Sequence, residues 1–308
     1  VSVEAPVEAG SGAHALRRFA VYFQHSSARS ISLSDIYDFV QRHPRLFVLS
    51  GAGISTDSGI PCYRDREGLR TGRSPILLRD FLGSEHARRR YWARSLIGWP
   101  VVALAEPNAA HHAVRGLASR GRVGRLVTQN VDGLHIRAGN ADVIELHGNI
   151  ARVRCMACGA PHSRALVQRM LEAANPAFAG LTAPAVPDGD AHVEDIDFGA
   201  FHVPACTHCG GLLKPDVVFF GESVPRTLVA DAARSLESAD AMLVLGSSLM
   251  VYSGYRFCEW AHRAGKPIAA INMGRTRADH LLALKVEEPC AAALGALVER
   301  LDDREFAR

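Results

Sequence analysis

Two short cysteine pairs, Cys155-x-x-Cys158 and Cys206-x-x-Cys209, restrict this chain more than any other feature. Four thiolates on two tight loops suit a tetrahedral zinc ion, because a two-residue spacer lets both sulfurs of a pair face one metal. A redox dithiol needs only one pair and leaves the second without a role. With cysteine at all four positions such a site is closed to substrate and serves the fold. The 47 residues between Cys158 and Cys206 exceed the usual spacer of about 15–20, so something folded or lid-like fills the excess.

On either side of this region the pattern alternates. Ser32-Leu33-Ser34-Asp35 offers an N-cap for a helix to about Arg42, and Leu46-Phe47-Val48-Leu49 reads as a short strand running into a Gly-rich turn. Near-continuous apolar runs predict buried strands at 125–128, 143–146, 217–220, 242–245, 268–271 and 283–286. Helical periodicity falls between them, at 86–98, 108–120, 226–238 and 252–264, with a last helix over 291–301. The order βαβα predicts an α/β, Rossmann-like doubly wound parallel sheet. It breaks down over 152–214, which holds both cysteine pairs and the Pro/Gly/Asp-rich run 182–190. We therefore expect a zinc-binding domain at 152–214 inserted into one domain made of 32–151 and 215–308, after a weakly ordered arm at 1–31. The long segment 159–205 is either a loop reaching toward the site or a solvated excursion.

Composition narrows the function classes. With 35 basic and 32 acidic residues in 308, the net charge of +3 is too balanced to imply a nucleic-acid partner. No apolar run approaches the roughly 18 residues of a membrane helix. Seven cysteines, four of them in tight pairs, and no secretory signal before residue 40 fit a reducing compartment. Ala- and Arg-rich usage and the poor match to a transit peptide favour a bacterial cytoplasm, with the mitochondrial matrix as the alternative. A monomer is expected.

Three clusters carry chemistry. Ser50-Gly51-Ala52-Gly53 follows a strand with glycines that let the backbone turn tightly and approach a pyrophosphate. The dehydrogenase fingerprint G-x-G-x-x-G fails here, because Gly53 is followed by Ile54, Ser55, Thr56 and Asp57 before Gly59; hydride transfer is disfavoured, and an ordinary strand–turn–helix joint remains open. Thr128-Gln129-Asn130-Val131-Asp132-Gly133-Leu134-His135 and Glu145-Leu146-His147-Gly148-Asn149 place polar groups just after apolar strands, where ligands bind in open α/β sheets. Either His147 or His135 could act there as a general base, or be structural.

Taken together, Gly51-Ala-Gly-Ile-Ser-Thr-Asp-Ser-Gly-Ile-Pro61, Thr128-Gln-Asn-Val-Asp132, Leu146-His-Gly148, the two cysteine pairs, Lys214-Pro-Asp-Val-Val-Phe-Phe-Gly-Glu222 and Gly246-Ser-Ser248 resemble the sirtuin family across about residues 33–300. Asn175-Pro176, Pro187-Asp-Gly-Asp190, Val203-Pro204, Arg90-Tyr-Trp-Ala-Arg94 and Gly98-Trp-Pro100 are similar to class II sirtuins, the group with the mitochondrial lipoamidase-type member. The resemblance implies NAD-dependent removal of acyl groups from lysine in proteins or peptides, with one structural zinc. The acyl oxygen attacks the nicotinamide ribose as nicotinamide leaves, and the acyl group departs as O-acyl-ADP-ribose. By the same resemblance His147 is the base, while Asn130 and Asp132 order the ribose and nicotinamide pocket and Gln129 with Val131 contacts the cofactor. Gly51, Ala52, Gly53, Asp57, Pro61, Tyr63 and Arg64 fall in the cofactor loop. Gly246, Ser247 and Ser248 lie near phosphate and ribose, Asn272, Met273 and Gly274 near the adenosine ribose, and Cys290 near adenine. Val217, Val218, Phe219 and Gly221 match the strand that sandwiches an extended peptide. A mono-ADP-ribosyltransferase using NAD and a non-catalytic zinc-stabilised NAD-binding module are the alternatives.

Two positions refine this reading. Tyr91 and Arg94 form an i, i+3 pair that resembles an acid-acyl motif, in which a guanidinium grips a carboxylate and favours succinyl or glutaryl over acetyl. Lipoyl- or biotinyl-type acyl groups are the other preference, and the Arg-rich run Arg88-Arg89-Arg90 allows a purely solvated face. Cys62 stands where related chains carry Asp or Thr; it confers oxidant sensitivity if its pKa is lowered, and is otherwise a small packed residue.

Overall fold

The computed structural model describes residues 33–71, 75–182 and 197–306. In chain order its elements are α1 (Leu33–Arg42), β1 (Leu46–Ser50), α2 (Leu78–Gly83), α3 (Glu85–Leu104), α4 (Ala109–Ser119), β2 (Val123–Thr128), α5 (Leu134–Arg137), β3 (Val143–Glu145), β4 (Gly148–Cys155) and β5 (Pro161–Ser163). There follow α6 (Arg164–Ala174), α7 (Pro176–Ala179), β6 (Leu213–Val217), α8 (Arg226–Ser238), β7 (Ala241–Leu245), α9 (Tyr252–Arg263), β8 (Ile268–Ile271), β9 (Leu284–Val286) and α10 (Cys290–Phe306). The expected arm at 1–31, the Ser32 cap and the run 187–190 lie outside the described residues.

Six parallel strands lie in the order β3-β2-β1-β7-β8-β9. Their side chains alternate between two buried faces, as a parallel sheet covered on both sides requires. Leu46, Val48, Leu243 and Leu245 pack with α1, α4 and α10, while Phe47, Leu49, Met242 and Val244 pack with α8 and α9. Helix α4 starts where Asn108 caps it: Asn108 Oδ1 accepts from Ala110 N, and the His111 ring closes a capping box on the Asn108 N–H.

A second sheet, β5-β4-β6, is antiparallel and carries the cysteine loops. This corrects one expectation, since residues 217–220 are not a strand of the large sheet. Pro215 sits within β6, which is tolerable because β6 is an edge, and beyond Val217 the chain leaves the sheet and turns its apolar side chains elsewhere. The first part of the long segment is folded: α6 and α7 pack Val167, Leu171 and Phe178 with Trp92, Leu96 and Ile97 of α3, while residues 183–196 lie outside the described residues.

Helix α3 also runs further than its sequence suggests, passing through Pro100 to Leu104. A proline there has no N–H for the carbonyl one turn back, which is that of Leu96. Gln168 of α6 supplies the missing donor, its Nε2 lying 3.0 Å from the Leu96 oxygen. Beside it the fully buried Arg164 donates to Ser95 O (3.0 Å), Ser95 Oγ (3.1 Å) and Gln168 Oε1 (2.7 Å), and its guanidinium faces the Trp92 and Trp99 rings. Burial lowers its pKa to about 10, which still leaves it charged at neutral pH. The helix is thus continued by a partner from the small sheet's side. Gln168→Leu should cost about 1–3 kcal/mol by orphaning a buried carbonyl. Part of that loss should be recovered in a Pro100→Ala background, where the helix again provides its own N–H; equal losses in both backgrounds, by denaturant titration, would contradict this.

Candidate active site

Strand order reverses between β1 and β7, and the chain immediately after both strands is glycine. A Cβ on Gly51 would lie 2.7 Å from Ser247 Cβ, and one on Gly53 would lie 2.9 Å from Gly246 Cα. Gly246 itself has φ +58° and abuts the Gly53 and Ile54 backbone, so no side chain fits there. Above this contact opens a cleft of about 1230 Å³, the place where doubly wound sheets bind dinucleotides.

The polar end of β2 forms the floor. Asn130 Nδ2 donates to Gly51 O and Ser55 Oγ, both at 3.1 Å, which ties the loop after β2 to the loop after β1. Gln129 Nε2 donates to Ser247 Oγ at 2.7 Å and so reaches the loop after β7. His147 Nδ1 lies 2.8 Å from the Gln129 carbonyl oxygen; a carbonyl only accepts, so Nδ1 carries the proton and Nε2 is the basic atom. Ser253 Oγ stands 2.7 Å from Nε2. Burial holds the His147 pKa below the ordinary imidazole range, against the opposing pull of the Gln129 carbonyl. The ring is therefore neutral at pH 7, as a general base must be.

Behind the floor lies a buried polar layer. Asp132 accepts from Ser55 Oγ at 2.8 Å and from Leu134 N at 2.9 Å, while burial raises its pKa against these bonds. Ser50 Oγ bridges Thr128 Oγ1 and His135 Nε2, both at 2.9 Å, and the His135 and His111 rings stack edge to face at 4.8 Å. Burial lowers His135 to about 3 and His111 to about 4.

Of the residues singled out in the sequence, the cleft is lined by Gly51, Ala52, Gly53, Asp57, Tyr63 and Arg64 from the first loop. Gln129, Asn130, Val131 and His147 line its floor, and Gly246, Ser247, Ser248, Asn272, Met273 and Cys290 its far side. Tyr91, Arg94, Val217, Val218, Phe219 and Gly221 line its outer part. Three differ from expectation and do not line it. Asp132 sits one layer back with Ser55, Gly274 turns its backbone against Arg66, and Pro61 shapes the loop from outside the cleft. His135 is 2% exposed and belongs to the buried layer, so of these two histidines it is His147 that faces the cleft. Cys62 does line it, but burial raises its pKa, so the condition for oxidant sensitivity is not met.

The outer wall is aromatic. The Tyr91 ring lies 5.2 Å from Phe219 and 5.4 Å from Phe81. Lys214 Nζ donates to Val217 O at 2.7 Å and pairs with Glu222 at 2.9 Å, and Glu222 accepts from Phe219 N at 2.8 Å, clamping the turn that carries this wall. Sequence reasoning passed over Ser253, Ser55, His111 and this Lys214–Glu222 pair. The last was visible as opposite charges flanking the apolar run; the others have no local signal.

The sulfur atoms of Cys155, Cys158, Cys206 and Cys209 all lie within 4.8 Å of one another, with Cys155–Cys209 at 3.5 Å and Cys158–Cys206 at 3.9 Å. Tetrahedral Zn–S bonds of about 2.3 Å demand S···S separations of about 3.8 Å, so the donor set fits structural zinc.

Such a cleft places the chain among the dinucleotide-using α/β enzymes that carry a structural zinc site beside the sheet. The Sir2 family model matches residues 51–253. NAD-dependent protein deacetylase 2 of Bradyrhizobium diazoefficiens is 58% identical over 263 residues, covering 85% of this chain and 96% of that protein. The NAD-dependent protein deacetylase of Xanthomonas campestris pv. campestris is 57% identical over 267 residues, covering 87% and 91%. Among solved structures, Sir2 with a p53 peptide and NAD+ aligns at TM-score 0.67 and 26% identity over 90% of this chain and 100% of that one. Sir2 with a propionylated peptide aligns at 0.70 and 28%, over 88% and 99%. The chain belongs to the Sir2 family, the sirtuins. No helix among the described residues is long and apolar enough to cross a membrane.

Two outcomes are expected. Because His135 and His111 titrate near about 3 and about 4 when folded and near about 6.5 when unfolded, their contribution is complete above about pH 6.5 and is lost as pH falls from there. Denaturation midpoints should therefore drop between pH 7 and pH 5, and His111→Gln should flatten that slope. Separately, Cys206→Ser should lower both zinc content and Tm, whereas a full zinc complement in the variant would contradict a four-thiolate site.

Proposed function

We propose that this chain is an NAD-dependent protein-lysine deacylase of the class II sirtuin type, acting on acetyl-lysine peptides and on acyl groups beyond acetyl. The observation that carries this is a neutral imidazole, His147, on the floor of a cleft whose one end is the glycine contact and whose other end is the Phe219 wall. When bound, NAD supplies the activated ribose from which nicotinamide leaves and to which the acyl group passes. His147 accepts a hydroxyl proton at Nε2, since Nδ1 is committed to the Gln129 carbonyl. Asn130, fixed by Gly51 and Ser55, and Gln129, fixed by Ser247, hold hydroxyls in place without themselves attacking. Asp132 acts from behind by anchoring Ser55. An extended peptide lies along Val217–Gly221, which line the outer cleft, and the zinc site keeps the loops joined to β4 and β6 in register.

Tyr91 and Arg94 both line the outer cleft, which supports their reading as acyl-selecting residues: the ring wall suits lipoyl- or biotinyl-type chains, and the guanidinium suits an acid-ended chain. We read the small sheet with its cysteine loops as a domain inserted into the larger one, and the chain as a monomer. The bacterial relatives support a bacterial cytoplasm. Nicotinamide release from NAD should depend on added acetyl-, lipoyl-, succinyl- or glutaryl-lysine peptide and fall by about 10²-fold or more in His147→Ala. Arg94→Ala should lower the succinyl-to-acetyl rate ratio, and an unchanged ratio removes the acid-acyl reading. Release without peptide deacylation would instead identify an ADP-ribosyltransferase.

A further inference from the structure

Ser253 has no assigned role, yet its hydroxyl is 2.7 Å from the one basic atom of the candidate base. It lies in the first turn of α9 and lines the cleft. The approach is built by the neighbouring residue. Gly254 packs its bare Cα on the Gln129 side chain, where a Cβ would collide with the amide, and the Gln129 carbonyl is what holds His147 by Nδ1. Gln129 is in turn pinned to Ser247 at 2.7 Å, so helix, floor and imidazole form one rigid unit.

This geometry poses a problem for direct proton abstraction. With Nδ1–H given to a carbonyl, Nε2 has a single lone pair, and the Ser253 O–H is placed to occupy it. A substrate hydroxyl cannot donate to the same lone pair while Ser253 does. We propose that Ser253 is a proton relay between the reacting hydroxyl and His147, an inference that rests on His147 being the base. In that step the substrate hydroxyl gives its proton to Ser253 Oγ as Ser253 gives its own to His147 Nε2. The substrate oxygen is left as the nucleophile, the imidazole becomes imidazolium, and the serine ends as it began. No oxidant or further reactant is needed.

The test uses the full-length, zinc-loaded protein and three variants, Ser253→Ala, Ser253→Thr and His147→Ala, each checked for an unchanged melting transition. First, without NAD, ¹⁵N spectra of the imidazole should show Nδ1 protonated and a hydrogen-bonded Nε2, and the Nε2 signal should move in Ser253→Ala and return in Ser253→Thr. Second, Ser253→Ala should lower kcat for deacylation by about 10²-fold with little change in the KM for peptide, while nicotinamide exchange, which precedes the proton transfer, continues. Third, the proton inventory in mixed H₂O and D₂O should be curved in the wild type, with two protons in flight, and the remaining rate of Ser253→Ala should give a straight line. Deacylation in Ser253→Ala within about threefold of wild type, or faster, would overturn the relay and leave the serine as a place-holder that substrate displaces; so would an Nε2 signal that does not move. If His147→Ala itself keeps deacylating, the base reading fails first, and the two failures are told apart by that one variant.

Discussion

Everything in the site follows from how closely the ends of β1 and β7 approach one another. Gly51 and Gly53 lie against Gly246 and Ser247 at distances that no Cβ could occupy. That contact removes side chains from the centre of the switch point and leaves backbone and small hydroxyls facing the cleft, the environment a pyrophosphate needs. It also brings three loops within one hydrogen bond of each other, so Asn130 and Gln129 can brace the loops after β1 and β7 from the end of β2. The floor is rigid because the sheet beneath it is buried on both faces.

The outer half of the cleft depends on a different device. Its wall is carried by α3 and by the turn after β6, and both are held by buried polar groups. Gln168 and Arg164 of α6 complete α3 where Pro100 interrupts it, and Lys214 with Glu222 clamps the turn that presents Phe219. Tyr91 lies between the two, on α3 and against Phe219, so the shape of the outer cleft is set from the side that carries the cysteine loops.

Much of this was legible in the chain. The apolar strands at 46–49, 125–128, 242–245 and 268–271 read correctly because a parallel strand covered on both faces has a signal of its own, a continuous run of Val, Leu and Ile. Residues 217–220 carry the same signal for another reason: their side chains line a ligand cleft, and a short apolar window does not distinguish a ligand from a helix as the covering surface. Helix α3 was cut short because Pro100 breaks a helix unless a distant side chain replaces its donor, and Gln168 is 68 residues further along the chain. The four clustered cysteines and the glycines of the contact between β1 and β7 were visible as fixed spacings. Ser253, His111 and Ser55 were not, since their meaning lies in which atoms they face across the fold.

Desolvation acts in opposite senses on the groups around this cleft. It keeps His147, His111 and His135 neutral at pH 7 and raises the pKa of Asp132 behind them, so the imidazoles of the floor and of the layer beneath it carry no charge. A neutral His147 keeps its basic nitrogen available. Arg64 and Arg94 line the cleft at partly exposed positions, so charge is kept where water still reaches it. Burial alone thus divides the site into a desolvated floor that favours neutral groups and a partly hydrated rim that carries charge.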